Sequence, residues 1–103
     1  MVLFWTTVNI LDLIFWSLSV RESNTWTFIK YFVTIFNMVI GSYFIVNNII
    51  TGIYIIGFLS ALVFAIRIAH LKSNNDLSRA NSIDLAWSIY SHLLRSMVVA
   101  VLM

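Results

Sequence analysis

Two apolar runs, Trp26–Ile45 and Gly52–Ala69, lie back to back with only a short polar turn around Asn47 and Asn48 between them. Each is about 18–20 residues, enough for a helix to cross roughly 30 Å of hydrocarbon. A soluble chain of 103 residues has too little interior to hide both, because surface outruns volume in small domains. The rest of the composition agrees: 61% hydrophobic residues, 10% charged residues and a mean hydropathy of +0.96. The expected fold class is all-α, an integral membrane protein forming a single membrane domain over 1–103. Three transmembrane helices are expected at about 2–20, 26–46 and 50–70, followed by an amphipathic or partly inserted helix at about 84–102.

Composition also excludes several functions. A net charge of +2 with no Lys/Arg cluster argues against nucleic acid as a partner. Without cysteine there are no disulfides, thiolate zinc sites or iron–sulfur ligands. Without proline the usual helix-kinking device is missing. The start, Met1-Val-Leu-Phe-Trp5, has neither the basic region of a signal peptide nor the Arg/Ser character of a transit peptide. If the protein belongs to an organelle, synthesis within that organelle is the expectation.

The polar exceptions carry the information. In the first span Trp5, Asn9, Asp12, Trp16 and Ser19 follow i, i+4, i+7, i+11, i+14 and share one helical face. An Asp near mid-membrane costs about 3 kcal/mol against lipid, so that face should point at protein. Asp12 then serves either as glue between helices or as part of a transport or proton relay. In the second span Lys30, Thr34, Asn37 and Gly41 make a matching stripe. At about 1.5 Å of rise per residue, Asn9 and Asn37 reach a common depth and the Lys30 stem covers its offset from Asp12. This predicts an Asp12–Lys30 pair and an Asn9–Asn37 hydrogen bond, with snorkelling of Lys30 as the alternative. The polar turn from Arg21 to Thr25 offers Asn24 or Thr25 as an N-cap, with Arg21 and Glu22 solvated or at headgroups.

In the third span Gly57, Ala61, Ala65 and Ala69 recur every four residues, a face that lets another helix come close. Arg67 lies off that stripe and is expected to snorkel, and His70 sits at the boundary as a polar cap. Residues 71–83 form the hydrophilic segment, and Asn81-x-x-Asp84 is the expected start signal of the last helix. There Ser88, His92, Arg95 and Ser96, with Ser91 nearby, line one side. Because His92 and Arg95 are costly against lipid, that helix is expected at the interface or against a partner, with a shielded fourth span as the alternative.

Arg21, Arg67, Lys72 and Arg79 would share one side of a three-span topology. The positive-inside rule then puts the N-terminus outside and the C-terminal segment in cytoplasm or matrix. Anionic lipid headgroups are expected at Arg21, Arg67 and Lys72. There is no nucleophile–base set, phosphate loop or metal motif, and the two histidines are 22 positions apart. No catalytic residue, metal or cofactor is therefore expected. The intramembrane groups Asp12, Lys30, Asn37 and Asn9 are the candidates for any proton or ion handling, in a chain that works as a subunit beside other hydrophobic subunits.

The layout resembles the small three-helix membrane subunit of NADH–quinone oxidoreductase (complex I), the 4L/K type. The shared points are the length, Arg21 directly after helix one, Asn37 in helix two and the string Asn81-Ser82-Ile83-Asp84. Where that family carries glutamates in helices two and three, this chain has Val33 and Val63. The resemblance implies a proton-translocating respiratory-chain subunit of the mitochondrial inner membrane, with any proton route redirected through Asp12 and Lys30. Gly41-Ser42-Tyr43-Phe44-Ile45-Val46, Gly52 and Tyr90-Ser91-His92 are also similar to the C-terminal helices of cytochrome c oxidase subunit III. Two further classes stay open, a structural accessory subunit and a small viral channel whose copies would line a pore with the Asn9/Asp12 face.

Overall fold

The computed structural model describes residues 1–19 and 24–103, so the expected turn residues Arg21 and Glu22 lie outside the described residues. Among the described residues there are four helices and no strand: α1 (Val2–Ser19), α2 (Asn24–Val46), α3 (Ile50–Ser73) and α4 (Arg79–Leu102). Consecutive helices pack side by side and α4 returns to α1, closing an up-and-down ring. Its long axis of 43 Å is comparable to a bilayer with its headgroup layers, about 40–45 Å.

Among the described residues three helices, α2, α3 and α4, are long and apolar enough to cross a membrane, and the described apolar stretch of α1 is Val2–Leu18. Of the two expectations for α4, an interfacial helix and a shielded fourth span, its length and composition fit the span. The physical reason is that the costly residues of α4, His92 and Arg95, turn into the bundle and leave an apolar outer face. Met103 packs on the same cluster as Trp5, so the two lie at one end of the bundle.

The ends of α2 and α3 show why the chain turns without glycine. Asn48 and Asn75 adopt left-handed backbone, φ 56° and 58°. Around Asn48, Ile49 N–H donates to the Phe44 carbonyl at 2.8 Å and Asn48 N–H to that of Ile45 at 3.1 Å, a Schellman cap. Asn75 repeats it, with Asp76 N–H bonding Leu71 and Asn75 N–H bonding Lys72. Asn tolerates this conformation better than other non-glycine residues. Asn48→Val should therefore lower the thermal midpoint in detergent, at a cost of about 1–2 kcal/mol, whereas Asn48→Gly should leave it unchanged or raise it.

Two start signals are corrected. Asn24 and Thr25 both lie within α2, so neither is its N-cap. The last helix starts at Arg79, not near Asp84, and Ser78 is its cap, accepting from Asn81 N–H at 3.1 Å.

Inside the ring, Trp5, Ile53, Ile56, Val99 and Ala100 form one apolar cluster, and Trp16, Phe64, Leu71 and Leu85 form another. Trp5 packs against Gly41, where any Cβ would strike its indole, and its Nε1 donates to the Asn37 backbone carbonyl at 2.8 Å. That contact brings α1 close to α2. On the outside, large apolar side chains dominate, with Leu3 and Leu18 81% and 80% exposed. An apolar surface this continuous needs lipid or protein over it.

Candidate functional site

Between the two apolar clusters lies a polar layer. Asn9 and Asp12 fall between Trp5 and Trp16 on α1, and Ser88, His92 and Arg95 fall between Leu85 and Val99 on α4. Lys30 enters from α2 and is fully buried. Its Nζ lies 2.5 Å from Asp12 Oδ2 and donates there, which is the expected pair, so Lys30 does not snorkel. The same Nζ is 3.2 Å from His92 Nε2. An ammonium beside it makes Nε2 the acceptor and puts the ring proton on Nδ1, which is buried without a hydrogen-bond partner.

Aromatic faces surround this cation. Lys30 Nζ is 5.4 Å from the Trp16 ring centroid and 5.1 Å from that of Phe64, within cation–π range. Phe64 in turn stacks on the His92 imidazole at 5.7 Å with 5° between the planes. These rings cover the Lys30 ammonium and one face of the imidazole.

Arg95 completes the cluster from the other side. Its Nη2 is 2.9 Å from Asp12 Oδ2, its Nη1 donates to Asn9 Oδ1 at 2.8 Å, and its Nε donates to the Ser91 carbonyl at 3.0 Å. Nη2 also contacts Ser91 Oγ. Both cations thus converge on one oxygen of one carboxylate, and the cluster holds two formal positive charges against one negative. In a low-dielectric interior, such an arrangement is stable only where each ion is hydrogen-bonded and paired.

The expected polar stripes on α1 and α2 do face inward: Trp5, Asn9, Asp12, Trp16, Lys30, Thr34, Asn37 and Gly41 are all buried. The Asn9–Asn37 hydrogen bond is corrected. Asn9 instead donates to the Trp5 carbonyl and accepts from Arg95, while Asn37 donates to the Val33 carbonyl and to Ser60 Oγ, both from Nδ2. The indole of Trp5 occupies the α1–α2 seam at that level, so the two amides have other neighbours.

The small-residue stripe divides. Gly57 and Ala61 are buried in this chain, with Gly57 against Ser96 and His92 of α4, whereas Ala65 and Ala69 are exposed. The face expected to let another helix come close is therefore half filled by α4. Arg67 sets its guanidinium 4.9 Å from the Trp26 ring, and His70 is exposed beside Asn74 at 3.3 Å. His92 and Arg95, expected at the interface, are corrected to the centre of the bundle. The signal was present, since Ser88, His92, Arg95 and Ser96 share one side of α4 as Asn9 and Asp12 share one side of α1. No group of three His, Asp, Glu or Cys residues that could hold a metal occurs among the described residues.

Compared with known proteins, the chain matches no family model, no curated protein and no solved structure.

Proposed function

We propose that this chain is a small integral membrane subunit of a proton-translocating complex, and that Lys30 with Asp12 and His92 forms a proton-transfer unit within it. One observation carries the reading: Lys30 Nζ bridges Asp12 at 2.5 Å and His92 at 3.2 Å inside a bundle with an apolar exterior. Ionisable groups inside an apolar span are expensive to retain and point to ion or proton handling. A donor held between a carboxylate and an imidazole is within direct proton-transfer distance of both. The finer form of the proposal is a subunit of the membrane arm of NADH:ubiquinone oxidoreductase in the mitochondrial inner membrane. It rests on the resemblance over positions 1 to about 85, beyond which the rest of α4 is an addition. The alternative of a pore lined by the Asn9/Asp12 face is disfavoured, because that face is buried against α2 and α4.

The test has two parts. Mild solubilisation of the native membrane should yield this chain in a multi-subunit assembly, and recovery as a single species would overturn the subunit reading. In that assembly Lys30→Met leaves the Asp12–Arg95 pair in place and should lower coupled proton flux about a hundredfold without loss of the complex. Undiminished flux would leave the cluster with a packing role only.

A further inference from the structure

The ring of helices is tightest between α3 and α4 and loosest between α1 and α4. At that looser seam two cavities open side by side, of about 250 and 210 Å³. Both are bounded by Val8, Trp87 and Ser91, so they form one lateral cleft. Its walls are otherwise apolar or aromatic, chiefly Phe4, Leu94 and Val98 at one end and Leu11 and Phe15 at the other. Its floor is not apolar. Arg95 lines the first cavity and Asp12 the second, so the cleft reaches the ion cluster from the lipid side.

We propose that this cleft binds a single-chain amphiphile with a carboxylate head, a long-chain fatty acid, with its head at Arg95 and its chain along the apolar walls. Three observations support that occupant. First, the cluster carries two formal cations for one carboxylate, and one further anion balances it. Second, a guanidinium has five N–H donors, and the contacts of Arg95 with Ser91, Asn9 and Asp12 leave one on Nη1 for a ligand oxygen. Third, Arg95 is seven residues from the end of α4, about 10 Å along the helix and within the apolar span. A single chain fits a seam between two helices, whereas a two-chain phospholipid would have to draw both chains and a larger head to that depth.

The proposal rests on the membrane reading but not on proton transfer. Trp87, which borders both cavities and is 56% exposed, supplies the signal. The full chain is reconstituted in phosphatidylcholine bilayers, and tryptophan quenching is measured with a few mole per cent of dibromostearic acid. The methyl ester of that acid and a dibrominated phosphatidylcholine are compared at the same fraction. The acid should quench at about one-tenth the concentration the ester needs, the worth of one charge-assisted hydrogen bond. Trp87→Phe should remove that extra quenching. Val8→Phe, which fills the shared wall without touching the cluster, should abolish the preference for acid over ester. Equal quenching by acid, ester and phospholipid, or a preference that survives Val8→Phe, would overturn the proposal. Bilayers made wholly of brominated phospholipid report insertion separately, so failure of the membrane reading is distinguishable from an empty cleft.

Discussion

Asp12→Asn should be the most damaging single change in this chain, costing about 3–5 kcal/mol. It removes the only carboxylate of the cluster and leaves Lys30 and Arg95 facing each other as buried, uncompensated cations. The loss should appear as a collapse of folded, monodisperse protein in detergent and a sharply lower thermal midpoint. The partner changes should be milder, because Lys30→Met and Arg95→Met each leave one cation with Asp12. If all three single variants lose the same stability, charge balance is not what holds the layer together. The combined change of Asp12→Val, Lys30→Met and Arg95→Met removes the whole ionic set and puts apolar side chains in its place. Replacement of buried ion groups by apolar residues of similar volume is often neutral or stabilising. That variant should regain the fold while lacking proton transfer, which separates the structural from the functional contribution of the cluster.

Gly57→Leu should rank second. A Cβ on Gly57 meets the Ser96 side chain and comes within 3.3 Å of the His92 carbonyl, so the side chain has no room without parting α3 from α4. Overpacking of a tight contact costs about 1–3 kcal/mol, and here backbone lies on the far side. The variant should also displace His92 from Lys30, so stability and proton flux should fall together. Ala65→Leu and Ala69→Leu, on the exposed continuation of the stripe, should leave the isolated chain as stable as before. If those two changes reduce recovery of the multi-subunit assembly, the exposed half of the stripe is where a partner helix docks.

The sequence made much of this architecture legible where periodicity and cost point the same way. The stripe on α1 and the stripe on α2 were readable because each combines polar residues at helical spacing with an apolar remainder, and the Asp12–Lys30 pair followed from matching depth. The fourth helix was not readable in the same way. Arg95 and His92 look expensive when a helix is considered alone, and only the presence of Asp12 and Asn9 across the ring removes that cost. Single-helix arithmetic cannot see a neighbour 86 positions away. The same blindness explains Asn9 and Asn37. Their levels were matched, but the indole of Trp5 reaches the Asn37 carbonyl and redirects both amides.

The ring has a consequence for how the chain is made. Asn9 and Arg95 are 86 residues apart, so the bond that ties α1 to α4 can form only after α2, α3 and much of α4 have been made. Until then α1 holds its carboxylate with Lys30 alone. A nascent chain stopped before α4 would present an open three-helix face with His92 and Arg95 missing. The charge layer therefore sets an order: the bonds of Arg95 to Asp12 and Asn9 must wait until α2 and α3 have been made.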